Sequence, residues 1–262
     1  PTNKMEIGSS QNINVKGIGT ITYTSSDRTV ATISADGLIS AKGIGTTTIT
    51  VIASGNDIYN SATQKFEIAV VPKITMLNSI SNISSGVKLT WTVNNNATGY
   101  ILYRKTGNGS WSRIADIKNG STVSYIDKTA KSGTTYTYTI RAYSGKYMSD
   151  WKTTKTIKRL ADPTVSSASN ITAGVQVKWS KVTGATGYIV YRKTGKGSWS
   201  RVADIKSGST VSYTDKTAKS GTTYTYTVRA YSGSTMGDWS STKTVKRLAD
   251  PTVSSASNIT AG

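Results

Sequence analysis

Residues 99–118 read GYILYRKTGNGSWSRIADIK, and residues 187–206 read GYIVYRKTGKGSWSRVADIK. Each opens on alternating apolar and polar positions, breaks at a Gly-X-Gly turn, and resumes in the same rhythm, which is a strand, a turn and a strand. The two stretches are 88 residues apart, and Trp91/Trp179, Tyr103/Tyr191, Trp111/Trp199 and Trp151/Trp239 keep that spacing without insertion. The chain is a tandem repeat. Ala249 to Gly262 (ADPTVSSASNITAG) reproduces Ala161 to Gly174 letter for letter, so the reading expects a third copy to begin there and the array to be longer than this chain.

Working outward, each repeat divides into seven short strands, placed in the first copy at about 75–81, 87–93, 98–105, 111–117, 122–127, 134–144 and 153–159. Turns are expected at Gly107-Asn108-Gly109, Asn119-Gly120 and Lys131-Ser132-Gly133, where Gly or Asn supplies positive φ. Seven such strands suit a two-sheet sandwich. Residues 3–71 alternate as well, through Ile13 and Val15, Ile21 and Tyr23, Val30 and Thr32, Leu38 and Ser40, Thr46 to Val51, and Phe66, Ile68 and Val70. Asp36-Gly37 marks a hairpin between two of these runs. No amphipathic helix is found in the 262 residues.

Cysteine and histidine are both absent. Thiol chemistry, disulfides, imidazole bases and nearly every zinc arrangement go with them. No enzyme and no cofactor is expected. Asp116, Asp127 and Asp150, with Asp204, Asp215 and Asp238, recur as the carboxylates of the repeats, and nothing organises a nucleophile around them. Asp127 and Asp215 are assigned to turns, and Asp116 and Asp204 to pairing with nearby Lys or Arg. Asp27, Asp36 and Asp57 are too scattered for a calcium cage and read as turn and cap residues, so no metal is expected. No run of about 18 apolar residues is present that would span a membrane.

Charge is uneven. Residues 1–73 hold 6 Lys+Arg against 5 Asp+Glu, residues 74–161 hold 13 against 3, and residues 162–249 hold 13 against 4, so the repeats carry nearly all of the net +19. A surface of this kind attracts polyanions, and it equally serves solubility.

Two resemblances to known families follow from the residues. Tyr23-Thr-Ser-Ser-Asp-Arg-Thr-Val-Ala-Thr-Ile-Ser34 and Asp36-Gly-Leu-Ile-Ser-Ala-Lys-Gly-Ile-Gly-Thr-Thr-Thr-Ile49 resemble the group 2 bacterial immunoglobulin-like domain, over most of residues 4–71. Tyr23 stands where that family usually has Trp. The resemblance implies a spacer in a bacterial cell-surface or secreted protein of the adhesin kind. Val87-Lys-Leu-Thr-Trp91, Gly99-Tyr-Ile-Leu-Tyr103 and Ser132-Gly-Thr-Thr-Tyr136-Thr-Tyr-Thr-Ile140-Arg-Ala142 together resemble a fibronectin type III domain, over essentially the whole repeat. That resemblance implies Trp91 and Trp179 in the core and Tyr136 and Tyr224 as tyrosine corners.

The expected fold is therefore all-β, a rod of tandem immunoglobulin-like and fibronectin type III-like β-sandwiches. Its domains are 1–72, 73–160 and 161–248, with 249–262 as the first strand of a truncated third repeat. The junctions Val70-Val-Pro-Lys73 and Lys158-Arg-Leu-Ala-Asp-Pro163 contain Pro and almost no Gly or Ser, which makes them stiff. A monomer is expected, with exchange of the strand 249–262 between copies as the alternative.

Strand alternation picks out a candidate ligand face. If Tyr100 and Leu102 point inward, then Ile101, Tyr103 and Lys105 point outward; if Tyr138, Ile140 and Ala142 point inward, Arg141 and Tyr143 point outward. The face then shows Tyr103, Arg141 and Tyr143 with Trp111 and Trp151 nearby, and Tyr191, Arg229, Tyr231, Trp199 and Trp239 in the second copy. Rings stack on sugar faces while guanidinium groups hold anionic oxygens. The other use of the same side chains is a structural cation–π stack, resembling the Trp and Arg ladders of some fibronectin type III modules. The expected role is a non-catalytic structural and adhesive segment whose partner is a glycan, a protein or an anionic wall polymer. The alternative is a dedicated binding module for a glycan or host protein, such as an accessory region of a large extracellular enzyme. A nucleic-acid partner has only the pI near 10 with aromatics nearby behind it.

Overall fold

The structure, a computed structural model, describes residues 3–248. The predicted strand 249–262 and its exchange between copies lie outside the described residues. All regular structure among them is β.

In the N-terminal part, β1 (Lys4–Glu6), β2 (Ser10–Asn12), β3 (Ile21–Ser25), β4 (Ala31–Ile33), β5 (Leu38–Ala41), β6 (Gly45–Ala53) and β7 (Ala62–Val71) form two sheets, in the orders β1-β7-β6-β3 and β2-β5-β4. β1 runs parallel to β7, and every other pairing is antiparallel. On β6 the period of two puts Gly45, Thr47, Ile49 and Val51 inward. They meet Val30, Ala31, Ile39 and Ala41 from the opposite sheet and Ile68 and Val70 from β7, closing one core. The predicted hairpin is present, with Gly37 at φ 82° and its N–H donating to the Ser34 carbonyl. Asp27 accepts from the Thr29 N–H and hydroxyl, and Asp36 from the Ser34 hydroxyl, so both carboxyls are held below their ordinary range, chiefly by those hydroxyls.

The first repeat contains β8 (Leu77–Ile83), β9 (Gly86–Trp91), β10 (Gly99–Thr106), β11 (Ser112–Ile117), β12 (Ser124–Asp127), β13 (Thr135–Ser144), β14 (Tyr147–Met148) and β15 (Lys155–Lys158). The second contains β16 (Val165–Ile171), β17 (Gly174–Trp179), β18 (Gly187–Thr194), β19 (Ser200–Ile205), β20 (Ser212–Asp215), β21 (Thr223–Ser232), β22 (Thr235–Trp239) and β23 (Lys243–Lys246). One sheet of each repeat has three strands, β12-β9-β8 and β16-β17-β20. The other has five, β11-β10-β13-β14 with β15 also on β13, and β19-β18-β21-β22 with β23 also on β21. The registers match across the 88-residue interval: Tyr100 opposes Ala142 as Tyr188 opposes Ala230, and the ladders shift at Leu102/Tyr103 and at Val190/Tyr191. The chain is a tandem of β-sandwiches.

By its internal contacts the chain forms two compact units. One holds the N-terminal residues to Ile80 with Leu89–Tyr125 and Tyr136–Thr156; the other holds Ser81–Lys88, Ile126–Thr135 and the described residues from Ile157 onward. The second repeat lies wholly in the latter. Its core is Leu160, Val165, Val175, Val177, Trp179, Val182, Tyr188, Val190, Tyr224, Tyr226, Val228 and Ala230. Trp179 and Trp91 are 3% and 2% exposed. The Tyr224 hydroxyl accepts the N–H of Lys219, the short bridge of a tyrosine corner. Beneath it Asp215 is fully buried. Its carboxylate accepts from Arg192 at 2.6 Å, from the Tyr226 hydroxyl at 2.8 Å and from the Thr217 hydroxyl at 2.7 Å.

One difference from the predicted strands bears on the site. The last strand, expected near 153–159, is β15, and it is preceded by a two-residue strand absent from the expected set, β14, which follows a tight turn at Gly145 (φ 55°). After Met148 the next rung is half backbone, with the Ser149 N–H donating to the Ala142 carbonyl and the Ala142 N–H going to the Ser149 hydroxyl, and the backbone then leaves the sheet. The detour carries Trp151 over the outer face before pairing resumes at Lys155.

Candidate ligand-binding face

The outer face of the β10/β13 pair is set by register. Ile101 opposes Arg141, Tyr103 opposes Thr139, and Gly99 opposes Tyr143, so Tyr103, Arg141 and Tyr143 share one surface as alternation requires. Ile101 is on that surface too, yet only 6% exposed, because it lies in a depression with Tyr143 and Met148 around it.

The predicted residues separate into two groups. In the first, the Trp151 ring receives three neighbours: Tyr103 edge-on at 5.1 Å, Trp111 tilted at 5.7 Å, and the Arg141 guanidinium at 5.4 Å. Lys105 closes the far side of Trp111 at 5.3 Å. The series cation, indole, indole, cation repeats in the second copy. Trp239 has Tyr191 at 4.7 Å, Trp199 at 6.2 Å and Arg229 at 4.9 Å, and Lys193 lies over Trp199 at 5.1 Å. Arg141 is aimed by donating through Nε to the Ser149 carbonyl, and Arg229 by donating to the Gly237 carbonyl. Aromatic pairs contribute about 0.5–1.5 kcal/mol and exposed cation–π contacts about 0.5–1 kcal/mol, so the stack has a structural use of its own. It still leaves ring surface open: Trp151 and Trp239 are 43% and 40% exposed. Lys105 and Lys193 belong to the stack although the sequence reading leaves them out of the candidate site. Their place on the same strand face, two residues beyond Tyr103 and Tyr191, is the signal that could have included them.

The second group is built around Tyr143 and Tyr231. Gly99 faces Tyr143 so closely that a Cβ there would lie 2.4 Å from the ring and from the Ile117 carbonyl oxygen, and a Cβ on Gly187 would lie 2.3 Å from the Tyr231 ring. Glycine is what lets the ring lie flat on the strand. The Tyr143 hydroxyl donates to Asp116 at 3.0 Å, and Asp116 is paired with Arg113 at 2.5 Å; Tyr231, Asp204 and Arg201 repeat the arrangement. Desolvation, then the carboxylate, pushes both phenols above their ordinary range. Beside each ring is an open depression of about 490–500 Å³, lined by Thr98, Ile101, Asp116, Lys118 and Met148 or by their counterparts. Tyr143 and Tyr231 are thus engaged with Asp and Gly, apart from the tryptophan stack.

The N-terminal sandwich has a match among known families. Residues 6–58 match the bacterial Ig-like domain (group 2). No curated protein matches the chain. Solved structures similar to it include the chicken CNTN1 FN1–FN3 domains, at 17% identity, covering 88% of this chain and 90% of that one with a TM-score of 0.34. Another is the two fibronectin type III domain segment of chicken tenascin, at 20% identity, covering 67% and 99% with a TM-score of 0.38. No helix among the described residues is long and apolar enough to cross a membrane.

Proposed function

We propose that the chain is a non-catalytic structural and adhesive segment of a bacterial cell-surface or secreted repeat protein, with domains at 1–72, 73–160 and 161–248. It works as a stalk and presents a weak binding face once per repeat, to a glycan, a protein or an anionic wall polymer. The observation that carries this reading is the recurrence, 88 residues apart, of a tryptophan held between a tyrosine, a second tryptophan and an arginine with over a third of its surface open. An open indole beside cations suits the apolar face of a sugar that bears acidic groups. Repetition on one chain turns weak single contacts into avidity, because the second contact is made at a high effective concentration.

The test is binding of the chain to an array of glycans, wall polymers and host proteins, at low salt and at about 0.5 M salt, where the Debye length falls to a few ångströms. The expected result is a salt-resistant hit that disappears in the double variant Trp151→Ala/Trp239→Ala. A salt-resistant hit unchanged in that variant would remove this face from the proposal. Attachment only at low salt would reduce the repeats to a basic stalk without a specific ligand.

A further inference from the structure

The stretch that leaves the last strand of each repeat forms the same bracket twice. Asn82 donates to the Lys158 carbonyl at 3.0 Å and accepts the Leu160 N–H at 3.2 Å; Asn170 does so with Lys246 and Leu248 at 2.9 and 3.2 Å. The Arg159 guanidinium donates to the carbonyls of Leu160 and Ser84, and that of Arg247 to the carbonyls of Leu248, Ile171 and Thr172. Both arginines are buried, at 5% and 6% exposure. The second bracket is complete by itself.

The first bracket carries a further layer of contacts, all from the second repeat. Asn82 also donates to the Met236 carbonyl at 3.2 Å, the Ser84 N–H to Asp238 at 3.1 Å, Lys158 to the Ser232 hydroxyl at 3.2 Å, and the Ser132 hydroxyl to the Thr183 carbonyl at 3.0 Å. Gly133 and Gly184 touch: a Cβ on Gly184 would lie 2.4 Å from the Gly133 Cα, and one on Gly133 would lie 2.8 Å from the Thr183 methyl. Leu160 is fully buried in the second repeat's core. At the matching positions Asn170 and Lys246 are exposed, Leu248 is 56% exposed, and a Cβ on Gly221 would meet nothing within 4 Å.

We infer that the surface of Asn170, Gly221, Lys246 and Leu248 is a preformed dock for a further repeat of the second repeat's type, following directly in the chain. Three observations select that occupant. The surface reproduces one that such a repeat covers. The sequence after Leu248 is that of Ala161 to Gly174, which in the second repeat supplies β16. And the loop that meets the dock needs glycine: Gly184 is at φ +85° with Gly133 against it, whereas the first repeat has Asn96 there, in a loop where Asn94 donates to the Lys73 carbonyl. A repeat of the first type would collide. This rests on the array part of the proposed function and is independent of the ligand face.

The experiment extends residues 1–248 with a second copy of residues 161–248. The chain has no cysteine, so pairs of engineered thiols carry spin labels without background. One pair is Lys128→Cys with Lys216→Cys, both exposed and both in the same compact unit. The other is Lys216→Cys with its counterpart 88 residues on. The dock predicts the same mean separation and a similarly narrow distribution for both pairs. A broad distribution for the second pair alone overturns it. Replacing the Gly184 counterpart in the added copy by Asn is expected to broaden only the second pair, and no broadening removes the glycine requirement. Amide exchange across residues 169–172 and 219–222 is a second readout: it slows on extension if the dock closes, and unchanged exchange counts against docking. Failure of the ligand array leaves these outcomes untouched.

Discussion

Replacing Asp215 by Asn tests a buried charge cluster of the second repeat. The carboxylate is fully buried, and the amide would keep its shape while losing the charge that holds Arg192 at 2.6 Å. Breaking a buried pair by removing one partner costs about 3–5 kcal/mol. Arg192 retains 21% exposure and stacks on Tyr224 at 4.5 Å, so water recovers part of its solvation and the cost falls to about 2–4 kcal/mol. For a domain of this size 1 kcal/mol moves the midpoint by about 4–8 °C, which gives a drop of roughly 8–32 °C in the transition of this repeat, read by calorimetry at pH 7. Burial pushes the Asp215 carboxyl up, but the bonds from Thr217, Tyr226 and Arg192 outweigh it and hold the group below its ordinary value. Its contribution is therefore present above the unfolded-state value of about 3.9 and is lost as pH falls through the lower folded value. The gap between parent and variant should persist at pH 5 and narrow toward pH 2. A drop of less than about 3 °C at pH 7, or one equally large near pH 2, would refute the reasoning.

Gly187→Ala places a methyl 2.3 Å from the Tyr231 ring and 2.5 Å from the Ile205 carbonyl oxygen, so the second repeat should lose about 2–3 kcal/mol in denaturant unfolding. Adding Tyr231→Leu should recover only part of it, since the carbonyl stays in place. Asp162→Asn has the opposite sign to the Asp215 change. Desolvation and then Asp238 raise the Asp162 carboxyl, with Arg159 opposing, and its Oδ1 is buried without a hydrogen-bond partner. The ionised form therefore costs stability that is regained as pH falls through the raised value, and the variant should melt higher than the parent at pH 7 and equal to it near pH 3.

The residues of the face were legible before any fold was drawn, because side-chain direction in a strand follows a period of two and both copies agree. Tyr103, Arg141 and Tyr143 do share a surface. What alternation could not give is distance within that surface. Trp111 and Trp151 lie on connections outside the regular ladder, while Trp239 lies in β22 opposite Arg229, and the meeting of these rings with Tyr103 and Tyr191 depends on how the last strand returns along the β-sheet. Tyr143 reads from sequence as one more ring of the group. Its attachment to Asp116 and Gly99 depends on the pairing of β10 with both β11 and β13, a long-range matter. The short strand β14 is absent from the expected set for the same reason, although Ser144-Gly145 carried the local sign of a turn.

Legible in the sequence alone were the period, the all-β class, the similarity of the N-terminal part to the group 2 Ig-like domain, the lack of thiol and imidazole groups, and which strand positions face out. These are local or repetitive properties, and local rules of backbone and side-chain direction suffice for them. Tertiary packing made Asp215 a buried ion-pair partner as well as a turn residue, divided the aromatic face into two groups, and covered Asn82 and Leu160 with the second repeat while Asn170 is exposed and Leu248 lies bare. Asn82 and Asn170 occupy equivalent places in near-identical repeats, so no sequence rule separates them; the difference is made by what packs against each.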